Sequence, residues 1–284
     1  MAEEVWMLQT KKADFKQIGA RFRIDPVTAR IIRNRGIEGE AAIDRYLNGT
    51  LDDLYDPMLL KDMERAVSIL CEAVDTGKKI RIVGDYDIDG VCSTYILLQA
   101  FERLGSDVDF EIPDRIKDGY GINESIIEQA HADGVEVILT CDNGISAFHQ
   151  VELAKKYGMT VVITDHHEVP LDGEKEKIPP ADAVIDPKQA DCPYPFPEIC
   201  GAVVAYKLVQ VLYARRGVPQ MEWLDLLEFA AIATVGDVMK LQDENRIVVK
   251  EGLRRAAQTK SVGLRKLVEK NNLQDLPLRW QRTL

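Results

Sequence analysis

Carboxylates recur in this chain directly behind short apolar runs. After KIRIVG stands Asp85-Tyr86-Asp87-Ile88-Asp89-Gly90, and after VEVILT-Cys141 stands Asp142-Asn143-Gly144. TVVIT is followed by Asp165-His166-His167, ADAVI by Asp186-Pro187, and the apolar segment LLEFAAIATVG by Asp237. Several anionic groups converging with two imidazoles, and with no basic partner beside them in sequence, would repel one another strongly unless cations lie between them. The chemistry to expect is therefore that of a metal centre. Oxygen ligands with one or two histidines suit Mn²⁺ best and Mg²⁺ next, with Zn²⁺ and Fe²⁺ compatible.

Each piece also has a plainer reading. Asp85 and Asp87 could cap a helix, Asp142-Asn143-Gly144 could be a turn, and Asp237 could end a helix. His131 and His149 lie within predicted helices and suit packing or surface positions. The inference rests on the conjunction: Asp85, Asp87, Asp142, His166-His167 and Asp237 all fall at element ends. Asp85 and Asp87 are two apart, so both can face one crevice if the extended pitch persists. Gly90 permits a tight turn into a helix whose N–H groups could meet a phosphate.

The elements that must position these groups follow from periodicity. MERAVSILCEAVDTG repeats apolar residues at helical spacing and stops at Gly77. Strand-like runs at KIRIVG, DVDFEI, VEVILT, TVVIT and ADAVID then alternate with helices predicted near 91–104, 123–132, 146–157 and 201–213. This alternation predicts an α/β fold, a doubly wound, mainly parallel β-sheet flanked by helices. Ligands of such sheets bind outside the carboxyl ends of the strands, where the acidic residues stand. Residues 1–60 read as a helical N-terminal arm, with Asp25 as an N-cap, Pro26 in the first turn and Gly36 closing that helix. Residues 61–240 form the α/β catalytic domain and 241–284 a helical C-terminal segment.

Composition bounds the rest. The chain has 284 residues, 46% hydrophobic and 29% charged, with a formal net charge of −11. That excludes a basic footprint spread over the whole chain, so a grip on phosphates must come from a local cluster or from bound cations. Five cysteines without a C-x-x-C pair argue against a disulfide framework and a zinc knuckle; Cys192 and Cys200 read as packing thiols rather than ligands. No apolar run spans a membrane and no signal-peptide core opens the chain, so the cytoplasm is the expected location.

VGDYDIDGVCST, LTCDNGISA, VITDHHEV and ATVGDV, in this order, resemble the four motifs of the DHH phosphoesterase superfamily. Within it, the flanks LDDLYDPMLLKDMERAV, IPDRIKDGYGIN, CGAVVAYKL and LQDENRIVVKEGL look like those of the bacterial single-strand-specific 5′→3′ exonucleases, over roughly residues 25–270. The resemblance implies two Mn²⁺ (or Mg²⁺) ions, with Asp87, Asp142, His166 and Asp237 as ligands of one. Asp85 would serve the other, with Asp142 bridging. It implies that His167 and Arg115 contact the scissile phosphate and that Asp165 orients an imidazole; Tyr120 is open to stacking on a base or to packing as an ordinary core tyrosine. The expected substrate is single-stranded DNA in recombination and repair, with a single-strand-binding protein or helicase as companion. Arg81 stands where related pyrophosphatases carry a histidine, which leaves the second site with fewer protein ligands. The exonucleases continue into a second domain beyond the point where this sequence ends, at LQDLPLRWQRTL. An oligonucleotide or cyclic-dinucleotide phosphodiesterase, or a folded but catalytically weak module that only binds, remain open alternatives.

Overall fold

Four- and five-residue stretches dense in Ile and Val, each closed by a polar turn, favour short strands buried on both faces. The computed structural model describes Met7, residues 11–116 and residues 121–272. The helical arm comprises α1 (Phe15–Phe22), α2 (Pro26–Asn34) and α3 (Glu40–Asn48). The central domain runs α4 (Met63–Thr76), β1 (Ile80–Val83), α5 (Ile88–Arg103), β2 (Val108–Glu111), α6 (Glu124–Ala132), β3 (Val137–Cys141), α7 (Phe148–Lys156) and β4 (Thr160–Thr164). A short hairpin, β5 (Leu171–Asp172) and β6 (Lys175–Glu176), precedes β7 (Ala183–Ile185). The helices α8 (Gly201–Arg215), α9 (Gln220–Leu224), α10 (Leu227–Gly236), α11 (Asp243–Ala256) and α12 (Val262–Lys270) follow.

The main sheet has the order β2-β1-β3-β4-β7, and all its pairings are parallel. The predicted doubly wound α/β architecture is therefore the observed one. Alternation along the strands assigns the two faces. Ile80, Ile82, Val137, Leu139, Cys141, Val162, Ala183 and Ile185 join α4, α5, α8 and α10 in the larger core. Val83, Ile138, Val161, Ile163 and Val184 pack with α6 and α7 on the other side. The sequence reading starts α5 three residues late: the helix begins at Ile88, because Asp87 caps it by accepting a hydrogen bond from Gly90 N at 2.9 Å. Asp25 caps α2 as expected, accepting from Val27 N and Thr28 N.

Arg81 sits in the interior of β1 and is buried. Its guanidinium holds Asp109, its neighbour on β2, at 2.7 and 2.8 Å, and Asp133 after α6 at 2.9 Å. This residue clamps the sheet edge and takes no part in the carboxylate rim.

A second buried ion pair joins three distant segments. Lys207 Nζ on α8 lies 3.1 Å from Glu244 on α11, both essentially inaccessible, and also donates to Tyr55 O at 3.0 Å. Tyr194 Oη donates to Glu244, and Tyr55 N donates to the same carboxylate at 3.4 Å. Burial draws the Lys207 ammonium below its usual range, and Glu244 works against that shift. Removing one partner of such a pair leaves a buried charge unmatched. Lys207→Met should therefore cost about 3–5 kcal/mol of unfolding free energy, measured by urea denaturation, and Lys207→Met with Glu244→Leu should recover much of it.

Candidate metal centre

Every strand of the main sheet except β2 ends in a residue of the acidic rim, because parallel strands present their carboxyl ends along one edge. Asp85 follows β1, Asp142 follows β3, Asp165 and His166 follow β4, and Asp186 follows β7. Asp237 caps the C-terminus of α10. Three groups of side chains have their ligand atoms within 4.8 Å of one another: Asp85, Asp87 and Asp142; Asp142, His166 and His167; and Asp89, His166 and Asp237. All the metal and catalytic candidates named from sequence fall within these groups.

Local backbone geometry explains the convergence. Asp142 adopts φ +61° in the turn expected at Asp142-Asn143-Gly144, so the turn and the site are one feature. Asn143 is buried and fixes that turn, donating to Val83 O at 3.1 Å and Cys141 O at 2.9 Å while accepting from Ile122 N at 3.2 Å. Asp87 likewise caps α5 and still reaches Asp85 and Asp142. Glycines give the closest approaches. A Cβ on Gly201 would lie 2.8 Å from the Asp142 carboxylate, and one on Gly90 would lie 2.5 Å from Asp85 O.

The electrostatics are those of crowded anions. Burial, and then the neighbouring carboxylates Asp89, Asp87 and Asp165, push the Asp142 carboxyl up to about 12. Burial and then Asp89 raise Asp237, and burial raises Asp85. His166 Nε2 stands 3.1 Å from Asp142, 3.4 Å from Asp89 and 3.9 Å from Asp237. Asp85 Oδ1 accepts from Gly121 N at 3.3 Å, whereas its buried Oδ2 has no hydrogen-bond partner among the described residues. An unmatched buried carboxylate oxygen and an imidazole nitrogen set among carboxylates are what a divalent cation would satisfy. Thiols do not compete for it. Cys71, Cys92, Cys141, Cys192 and Cys200 are all outside disulfides, and burial pushes the Cys92 thiol up to about 12 and Cys200 well above its ordinary value.

Asp165, expected to orient an imidazole, contacts the ring of His167 and the backbone of both histidines. Its Oδ1 lies 2.7 Å from His167 Nδ1 and accepts from His166 N and His167 N, while its Oδ2 accepts from Ile145 N. Burial opposes ionisation of Asp165, yet the contact with His167 and these N–H donors hold its carboxyl below the usual range. Arg115 is exposed, with its guanidinium 5.3 Å from the centre of the Tyr86 ring, over the Asp85–Asp87 turn. Tyr120 lies outside the described residues. His131 stacks on Tyr157 at 4.2 Å and His149 is exposed beside Glu152, so both take packing or surface positions. Asp186 belongs to none of the three groups: its Oδ1 accepts from Lys188 N, and burial lifts its carboxyl to about 7.

Asp89 is the residue whose place sequence reasoning missed. It is buried on the first turn of α5, and its two oxygens accept from Gly201 N at 2.6 Å and Ala202 N at 2.8 Å. It thus caps α8 from another helix while lying beside His166. The only sequence signal was a third acidic residue in register with Asp85 and Asp87.

The N-terminal domain of the DHH family matches residues 79–234, more than half of the chain, and the chain belongs to that family. Its relatives include the single-stranded-DNA-specific exonuclease RecJ of Bacillus subtilis, 37% identical over 265 residues, covering 93% of this chain and 32% of that protein. A crystal structure of RecJ from Thermus thermophilus in complex with Mn²⁺ superimposes with a TM-score of 0.72 at 31% identity, covering 90% of this chain and 35% of that one. A crystal structure of exonuclease RecJ bound to manganese gives 0.66 at 36% identity, over 74% and 52% respectively. The chain thus spans about a third of the length of the Bacillus relative.

Two outcomes test the centre. Asp89→Asn, which sets an amide N–H against a backbone N–H at α8, should weaken Mn²⁺ binding roughly 10- to 100-fold by isothermal titration calorimetry, as loss of a group supporting metal ligands does. The Asp165 contact, opposed by burial, raises His167 above its ordinary value. Its contribution to stability is therefore full below the unfolded value of about 6.5 and is lost as pH rises through the folded value. In EDTA, the stability difference between the unaltered protein and His167→Gln should be largest near pH 6 and shrink toward pH 9 in denaturant titrations.

Proposed function

We propose that this chain is the catalytic part of a two-metal phosphodiesterase, a single-strand-specific 5′→3′ exonuclease that releases nucleoside 5′-monophosphates from DNA in recombination and repair. The observation that carries this reading is the gathering of Asp85, Asp87, Asp142, His166, His167 and Asp237 along one sheet edge within ligand-sharing distances. The names of the RecJ relatives, and the Mn²⁺ in their crystal structures, support it.

In this reading Asp85, Asp87, Asp142, His166 and Asp237 would hold two Mn²⁺ or Mg²⁺ ions, with Asp142, whose ligand atoms reach both Asp85 and Asp87 and the histidines, as the shared ligand. When bound, the cations supply Lewis acidity toward phosphoryl oxygens and make water acidic enough to act as a nucleophile near neutral pH. The remaining work falls to the protein. Asp165 fixes the His167 ring and favours its cationic form, which places positive charge where a phosphorane-like transition state accumulates negative charge. Arg115, exposed over the Asp85–Asp87 turn, supplies a second cation for the non-bridging oxygens. The rigid turn held by Asn143 keeps Asp142 in place as the substrate changes.

The test is hydrolysis of 5′-labelled single-stranded DNA, duplex DNA and a dinucleotide in Mn²⁺. Release of labelled mononucleotide from long single strands, with duplex spared, is the expected result. Turnover of the dinucleotide alone would replace this reading with an oligonucleotide phosphodiesterase. Asp142→Ala should lower kcat by at least roughly 10²–10³-fold with the circular-dichroism spectrum unchanged, and retained activity would refute its shared role.

A further inference from the structure

The net charge of −11 conceals a basic island. Residues 11–36 contain eight lysines and arginines against two aspartates, a local charge of +6, so the remainder of the chain carries −17. Both aspartates are occupied as helix caps: Asp14 accepts from Gln17 N, and Asp25 accepts from Val27 N and Thr28 N. Arg21 and Arg33 are paired with Glu40 and Glu38. Lys11, Lys12, Lys16, Arg23 and Arg30 are exposed and form no ion pair with the described residues. Five exposed cations without an ion pair among the described residues thus gather on and beside two short helices, a local positive field suited to an anionic partner.

Three further features fit a strand of nucleic acid. The Arg30 guanidinium lies 4.5 Å from the centre of the Phe15 ring, which holds it in a fixed orientation. Between the cations, α2 leaves Val27 and Ile31 exposed four residues apart on one helical face, apolar surface against which unstacked bases can rest. The arm is also anchored to the start of α11. Gln242 Nε2, five residues beyond Asp237, donates to Arg35 O at 2.5 Å, Arg246 donates to Tyr46 O at 2.6 Å, and Arg45 pairs with Asp243 at 3.0 Å.

We propose that the α1–α2 pair is a phosphate-backbone binding surface for the single strand, carried on the arm that is fastened to the start of α11. The proposal rests on reading the metal centre as one that cleaves a phosphodiester chain, but it is tested without cleavage. Binding of labelled oligo(dT) to the full chain is measured in EDTA by fluorescence anisotropy across a potassium chloride series. Each phosphate contact on a single strand adds about 0.7 to the slope of log K against log salt.

A variant combining K12A, K16A, R23A and R30A should bind at least roughly 10-fold more weakly at low salt and lose up to about 2.8 from that slope. The lighter variant K12A with K16A leaves the Arg30–Phe15 contact untouched and should lose about half as much; it decides the matter if the fourfold variant does not fold. R23K with R30K should keep the slope, since a point charge suffices for this term. An unchanged slope and affinity in the lighter variant overturn the proposal. So does preferential capture of poly-glutamate over oligo(dT), which would make the arm an interface for an acidic protein. Strand binding without hydrolysis in Mn²⁺ would leave this proposal standing and remove the reading of the centre.

Discussion

Like charges held within a few ångströms in a water-poor setting cannot all remain ionised without a counter-charge. That constraint organises the whole upper edge of this molecule. Asp142 stands among Asp85, Asp87, Asp89 and Asp165, and burial with these neighbours raises its carboxyl far above the ordinary carboxylate range. The surrounding polypeptide is arranged to make that crowding permanent. A turn with positive φ aims Asp142, Asn143 ties the turn to two strands, and Gly201 lets α8 approach the carboxylate where any side chain would collide with it.

Parallel strands supply the common edge, and helices convert it into a rigid one. α5 and α8 are fastened to each other at their first turns through Asp89, on the side of the sheet that also carries the larger hydrophobic core. The His167 ring, and the backbone of both histidines after β4, are held by Asp165. The centre is therefore braced by hydrogen bonds that depend on backbone N–H groups as much as on side chains. Such groups cannot swing away when a ligand arrives, which is what preorganised electrostatics requires.

Much of this was legible in the sequence because strand ends and acidic residues coincide. Runs such as TVVIT and VEVILT announce buried strands, and the next polar residue falls on the ligand-binding edge by topology alone. What was not legible depends on contacts between segments far apart in the chain. Asp89 looks like one more acid in a motif until Gly201, more than a hundred residues away, donates to it. Arg81 reads as a lost metal ligand, whereas the fold commits it to Asp109 and Asp133. Net charge misled in a different way: averaging over the chain hid a basic arm inside an acidic protein.

The Lys207–Glu244 pair has a bearing on where this protein can be cut. The family domain spans residues 79–234, yet the ammonium buried inside it finds its anion at 244 and its carbonyl at 55. A fragment trimmed to the family boundaries would keep the cation and discard both of its neutralising contacts. The contacts that neutralise this buried charge are consequently spread wider than the segment that defines the lineage, and recombination or deletion endpoints placed between 56 and 243 would sever them.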